Sequence, residues 1–551
     1  MLETKCLHSL EKVFPDDDRN ESPYSRATAL RGEQFSFQVA YRNQSQHTLR
    51  NITARVSSGL SGLSAKLSIR HVGLVPSEFP CYPDHDEHII RSSAGLFPDP
   101  LHPIPESGLH MPAQQWRSVW ISVELSETTI SGTYPIVITF EQDNGELLAE
   151  ETFELEIIPA TLPEQKLIHT EWFHTDCLSN YYEVEVFSEA HWSYIEKYIQ
   201  TAVRNGMNML LTPLFTPPLD TKVGGERPTV QLVDVLKDGD TYSFSFERLQ
   251  RWIEICDRSG MRYFEFSHLF TQWGAKHAPK IVAAEKGSLV QIFGWDTDAT
   301  GDSYKSFLNQ LLPALVSFLK EHELESRSYF HISDEPSLEH LPWYKSASEI
   351  MQSHLSDFPI IDALSNIEFY QAGLVENPIP GNNHIEPFLE SGVSNLWTYY
   401  CCVQYKEVSN RFFNMPSARN RIMGLQMYKF AIKGFLHWGY NFWNAQYSER
   451  QLNPFLTTDA DYAFPSGDSF LVYPGEEGPI ESLRMVVFHE ALQDMRALEL
   501  LESLVGREQT LALLEEGLSE AITFDSYPRE AGWLLSCREK INQNIKLLSV
   551  V

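Results

Sequence analysis

The sequence predicts a multidomain β plus α/β protein: an N-terminal β-sandwich, a (β/α)8 TIM-like barrel, and C-terminal helices packed on the barrel. Three observations predict it. The first 160 or so residues alternate apolar and polar positions between turn signals. About 330 residues then repeat a short apolar run followed by a longer helix-like segment. From residue 481 onward only helical patterns remain. The expected domains are therefore 1–160, 165–480 and 481–551.

In the first region, "EQFSFQVAYR", "SVWISVEL", "TYPIVITFEQ" and "ETFELEIIP" each read as a half-buried strand. Several short strands with no helix between them make a sandwich. Residues 76–115 are proline-rich and weakly periodic, so they read as a long inserted loop able to reach a site elsewhere. "IIPATLPEQK" then serves as a linker. The repeating units begin with IHTEWFHT, NMLLTPLF, YFEFSHLF and YFHISDE, each followed by a helical segment. They continue through PIIDALS, a weak segment near 372–383, NLWTYYC and FLHWGYNFWN, which makes eight. The leucine stripes after residue 481 read as packing seams.

Bulk composition excludes several functions. The formal charge is −31, a field that repels phosphate backbones and anionic membranes, so no nucleic acid and no membrane is expected as partner. No segment has the length of a signal peptide's apolar run or of a membrane span. Seven scattered cysteines do not form a disulfide framework, which points to a cytoplasmic location.

In a barrel, chemistry sits at the C-terminal ends of the strands. The first end supplies Trp172, His174 and Asp176; the third supplies His268 and, just beyond, Trp273. Asp334 and Glu335 follow the fourth. The seventh carries Tyr399 and Tyr400, and the eighth Trp438, Asn441 and Trp443. An aromatic rim around a few acids, with little positive charge, suits a neutral polyhydroxylated ligand. Trp438 and Trp443 read equally well as barrel core, and lone histidines are more often structural than catalytic. "HDEH" at 85–88 lacks metal-ligand geometry, and His489-Glu490 lacks the second histidine of a helical zinc motif, so it reads as ordinary surface. No metal or organic cofactor is expected.

The adjacent acids of "YFHISDEPS" raise the sharper question. Glycosidases usually place two carboxylates across the scissile bond. "NLWTYYCC" has no acid to act as nucleophile. A 2-acetamido group on the substrate can take that role if one acid protonates the leaving oxygen and its neighbour orients the amide. Strand alternation would send Asp334 and Glu335 to opposite faces, unless the strand stops and the backbone turns before Pro336. A charged Asp334 would also raise the pKa of Glu335 and keep it protonated.

"HISDEP", "FHTDC" and "GLQMYKFAIKGFLHWGYNFWN" resemble glycoside hydrolase family 123 along nearly the whole chain. The resemblance implies a retaining, substrate-assisted β-N-acetylgalactosaminidase-like enzyme. Asp334 would orient the acetamido group and Glu335 would be the acid/base. The expected activity is exo-hydrolysis of a terminal β-linked N-acetylhexosamine from an oligosaccharide or glycolipid glycan. Two rivals are a glycosidase acting on a non-acetamido sugar, with Asp176 as nucleophile, and a non-catalytic carbohydrate-binding protein. Barrel glycosidases with sandwich domains are often dimers, which leaves room for a homodimer.

Overall fold

The computed structural model describes residues 2–60 and 62–549. Within residues 2–161, the described residues build two five-stranded sheets. One runs Leu2–His8, Gln34–Asn43, Trp116–Leu125, Ala65–Ser77, Gly95–Pro103; the other runs Arg26–Arg31, Leu147–Thr161, Gly132–Glu141, Leu49–Ser58, Leu109–Met111. The inward residues of both sheets, among them Phe37, Val39, Ile121, Ile138, Phe140 and Phe153, form one apolar core. This is the alternation the sequence displayed.

The long-loop expectation for 76–115 is corrected. Gly95–Pro103 pairs antiparallel with Ala65–Ser77, and Leu109–Met111 pairs with Leu49–Ser58. Prolines at 98, 100 and 103 masked the first of these strands. They are tolerated because that strand lies at a sheet edge, where missing N–H donors break no central ladder. Residues 78–94 stay irregular and reach the α/β region. There Asp86 pairs with the Arg419 guanidinium at 2.8 Å, so the acid of "HDEH" serves as an arginine clamp.

The α/β region contains parallel strands β1 (Ile168–Glu171), β2 (Met209–Thr212), β3 (Tyr263–Phe266), β4 (Ser328–Phe330), β5 (Ile361–Ala363), β6 (Asn377–Ile379), β7 (Trp397–Tyr399) and β8 (Gly434–His437). All eight predicted apolar runs supply a strand. Six of them form one curled sheet in the order β4-β3-β2-β1-β8-β7, while β5 and β6 pair separately. Single parallel bridges, Phe330 to Ile360 and Gly381 to Tyr399, connect that pair to the ends of the larger sheet. The expected ring is thus a six-stranded curled sheet plus a pair, with full ladders missing on both sides of the pair. The strands there are only three residues long, and β6 carries a proline within it.

Inside the curl, Met209, Leu211, Ile361, Ile379, Trp397 and Leu436 pack together. Gly434 is required at the start of β8, because a Cβ there would overlap the Trp397 indole. Two hairpins, Asp234–Asp238 with Thr241–Ser245 and Ile281–Glu285 with Ser288–Phe293, form a further four-stranded sheet. The sequence reading missed it, although "KDGD" and "EKGS" carry the turn signal. The helix Leu483–Val505 packs against the helices Ser417–Arg421 and Met423–Lys429 and buries Glu490. That corrects the surface reading of His489-Glu490. No helix of the described residues is long and apolar enough to cross a membrane.

Candidate active site

β4 stops at Phe330, four residues before Asp334. The backbone then turns, and Glu335 adopts a left-handed φ of +43°. The turn removes the alternation objection, and both carboxyl groups line one pocket of about 170 Å³. The loop is fixed from two sides. The Glu335 N–H donates to Ala363 O at 3.0 Å, and the Trp273 N–H donates to Asp334 O at 2.9 Å. Ser333 Oγ donates to Thr271 O at 2.8 Å. Three other pocket residues also hold positive φ: Asp220 at +41°, Trp273 at +56° and Tyr447 at +59°. Such conformations cost energy in non-glycine residues and persist where surrounding bonds over-determine them.

Asp334 lies half-buried at depth, and Glu335 opens toward the mouth. Burial, then the charge of Glu335, pushes the Asp334 carboxyl well above the usual range. Glu335 is also raised by its crowded setting, while a hydrogen bond from the Tyr399 hydroxyl at 2.6 Å pulls the other way. Both carboxyl groups are therefore held above the usual range. No arginine, lysine or histidine lines the pocket among the described residues.

The predicted aromatics divide. Trp172, Trp273, Tyr399 and Trp438 line the pocket. Two of the indoles are held from behind by buried acids: Trp172 Nε1 donates to Glu265 Oε1 at 2.7 Å, and Trp438 Nε1 donates to Asp468 Oδ2 at 3.0 Å. The other nominees lie outside the lining, and this corrects the strand-end reading. Tyr400 follows Tyr399 and so points to the opposite face, packing its ring on Phe435. Trp443 is core and donates its indole N–H to Val472 O at 3.1 Å. Asn441 is spent on the backbone of His174, accepting at 2.9 Å and donating at 3.0 Å.

His174 donates from Nε2 to Trp438 O at 2.9 Å and accepts at Nδ1 from Arg227 at 3.1 Å. Burial, then the Arg227 charge, lowers its pKa to about 4, so it stays neutral. Asp176 is buried in a two-pronged bond with Arg227, at 2.9 and 2.8 Å. An acid so compensated and so placed cannot attack a sugar in the pocket. His268 lies beneath the floor, stacked on His331 with ring centroids 4.1 Å apart.

Sequence reasoning missed Asp220. This third pocket carboxylate sits in the loop after β2. Gln272 Oε1 accepts its N–H at 2.6 Å, and Tyr447 N–H donates to its Oδ2 at 3.1 Å. Its Oδ1 has no protein partner among the described residues. Burial raises its pKa to about 6. "TPPLD" gave one signal, an acid just past a strand end, but two prolines displaced it from the expected position. Tyr447 and Gln446 come from a loop far beyond β8 and carried no signal.

A family model described as "Glycoside hydrolase 123, catalytic domain" matches residues 172–501. No curated protein matches the chain. Among solved structures, a family 123 glycoside hydrolase from Clostridium perfringens, described for glycolipid glycan hydrolysis, superposes with a TM-score of 0.75. It is 16% identical, and the match covers 100% of both chains, which establishes a shared fold over the whole length. An endo-β-1,4-mannanase from Thermotoga petrophila reaches a TM-score of 0.35 at 13% identity over 60% of this chain and 77% of that one. A family 5 mannosidase from Rhizomucor miehei reaches 0.33 at 12% over 61% and 94%. Neither bears on the argument.

Proposed function

The chain belongs to glycoside hydrolase family 123, and from that premise we propose that it is an exo-acting hydrolase of terminal β-linked N-acetylhexosamine, with N-acetylgalactosamine as its sugar. The substrate is an oligosaccharide or the glycan of a glycolipid. The observation that carries this reading is the placement of Asp334 and Glu335 together on one pocket, with Tyr399 bonded to the second.

Glu335 protonates the glycosidic oxygen as the acetamido oxygen of the same sugar attacks C1. The aglycone leaves as an alcohol and an oxazolinium ring forms. Asp334 accepts the hydrogen bond of the amide N–H as positive charge grows there. Its raised pKa fits a group that draws that proton toward itself. Glu335, now a carboxylate, takes a proton from water. The resulting attack at C1 reopens the ring, with overall retention. Tyr399 is the hydroxyl within reach of the acetamido oxygen; Tyr400 is not. Trp172 and Trp438 wall the sugar, and Asp220 offers Oδ1 to a ring hydroxyl.

In this reading the α/β region is a (β/α)8 barrel completed by the β5–β6 pair. The chain divides into 1–160, 165–480 and 481–551. All seven cysteines are free, which favours a reducing compartment such as the cytoplasm.

The test pairs aryl β-N-acetylgalactosaminide with the gluco epimer, using Asp334→Asn and Glu335→Gln alongside wild type. Cleavage of the galacto substrate by wild type only supports the reading. Turnover of sugars lacking an acetamido group would sink it. With Asp176 out of the pocket, a conventional nucleophile would have to be Asp220, and azide rescue of Asp220→Ala would reveal that.

A further inference from the structure

Beneath the pocket floor lies a second set of ionisable side chains that the hydrolysis above does not use. His331, just past β4, is buried between two acids. Its Nε2 stands 2.6 Å from Glu265 Oε1, on β3, and its Nδ1 stands 3.0 Å from Asp362 Oδ1, on β5. Burial pushes the Asp362 carboxyl up and the His331 bond and charge pull it down; with both acids ionised, each ring nitrogen donates and the ring is an imidazolium. Each acid has further donors. Glu265 accepts from the Thr170 hydroxyl and the Trp172 indole, and Asp362 accepts from the Tyr344 hydroxyl and from Ile332 N–H at 3.0 Å. Two buried anions without a cation would be costly, and His331 provides that cation.

Burial lowers the His331 pKa, but the hydrogen bonds and charges of Asp362 and Glu265 outweigh it and raise it to about 9. The groups bonded to or stacked on the ring are Glu265 from β3, Asp362 from β5 and His268 from the loop after β3; Asp334 lies three residues further along the same loop. His268 is held neutral, first by burial and then by the His331 charge. His268, His331 and Asp362 could be mistaken for a metal site. Ring nitrogens that both donate to carboxylates have no lone pair left for a metal.

The cation is tied to the catalytic loop. Asp362 fixes Ile332 N–H, and its neighbour Ala363 fixes Glu335 N–H at 3.0 Å. The positive charge also acts on Asp334 against burial and against Glu335.

We propose that His331 is a positioning residue, a buried imidazolium locked between Glu265 and Asp362 that keeps Asp334 ionised beside Glu335 and, through Glu265, orients the Trp172 indole. This rests on the assignment of Asp334 as the acetamido partner. If Asp334 must be an anion, activity falls as pH drops through its pKa. Removing the cation raises that pKa, so the acid limb of the kcat profile should move to higher pH.

The experiment measures kcat and KM against pH for wild type, His331→Gln and Tyr344→Phe, on the aryl substrate that wild type cleaves. In His331→Gln the acid limb should move up by about one pH unit or more, equivalent to about 1.4 kcal/mol, with kcat changing more than KM. Tyr344→Phe removes a donor to Asp362 but keeps the cation, and should leave the limb in place. A uniform fall of His331→Gln at every pH, with the limb unmoved, overturns the proposal. As a readout independent of whether this variant folds, imidazole 15N shifts are also read on histidine-labelled wild type. A doubly protonated ring at pH 7.5 is expected, and a neutral one overturns the proposal. Absence of wild-type turnover on either acetamido sugar would instead bring down the assignment of Asp334 and this inference with it. Turnover with an unmoved limb brings down this inference alone.

Discussion

Two groups of crowded acids, one at the seam and one in the pocket, are handled in opposite ways. At the seam between the sandwich and the C-terminal helices, Asp494 accepts from Arg421 at 2.7 Å and from Arg538 at 2.7 Å. Arg538 also reaches Glu33 at 2.8 Å, and Arg421 reaches Glu490 at 2.7 Å. Two arginines there serve three acids. In the pocket, Asp334, Glu335 and Asp220 converge with no basic side chain in the lining among the described residues. Asp494 is held below the usual carboxylate range because the two arginines overcome burial. The pocket acids are all pushed up. A compensated acid holds structure together, and an uncompensated one retains the proton affinity that acid–base chemistry needs.

The widest separation between the two places should appear in the proposed catalytic pair. Glu335→Gln and Asp334→Asn should each lower kcat by about 10²–10⁴, without loss of stability. The sign follows from linkage. A carboxyl whose folded pKa is raised contributes most to stability below its unfolded value of about 4 and loses that contribution as pH rises through the folded value. At neutral pH the ionised group therefore costs stability. Asp334→Asn should raise the thermal midpoint at pH 7–8 and leave it unchanged near pH 4. A lower midpoint at pH 7, measured by calorimetry, would mean that Asp334 is structural and that the contrast fails on the pocket side.

The seam should behave in reverse. Arg421→Ala strands Glu490 and leaves Asp494 with one arginine, at a cost of about 3–5 kcal/mol in unfolding free energy. The kcat of the folded fraction should stay at the wild-type value. Glu490 is the weak member, since burial outweighs Arg421 and raises its pKa to about 7. The loss in Arg421→Ala should accordingly deepen as pH rises. Denaturant titrations at two pH values, paired with activity, check both statements.

The same contrast explains what the sequence revealed. Four of the sandwich strands and the apolar runs of the α/β region were legible because local periodicity reports burial of a single face. The adjacent acids were legible because a strand end followed by proline marks a turn. Side-chain direction just past a strand was not: Tyr399 and Tyr400 differ by one position, yet only the first reaches the pocket. Pairing across long separations was also hidden. Asp176 looked free until Arg227, fifty-one positions on, was seen bonded to it. Asp220, Gln272 and Tyr447 meet only because three different loops fold onto one another.

The smallest expected effect tests the contrast within the pocket. Tyr399 gives the Glu335 carboxyl group its one protein hydrogen bond among the described residues, at 2.6 Å, and a bond to the charged form stabilises that form. Bonds to charged groups contribute about 1.5–3 kcal/mol, and one pKa unit corresponds to about 1.4 kcal/mol. Glu335 faces solvent, which places its bond at the lower end of that range. As the proposed acid, Glu335 must be protonated, so activity falls as pH rises through its pKa. In Tyr399→Phe that pKa rises, and the alkaline limb of kcat/KM should move up by about one unit. The rate at the optimum should fall by less than in either acid variant. A limb that moves downward would mean that the hydroxyl stabilises the protonated acid, and that Glu335 is already compensated in the way the seam acids are.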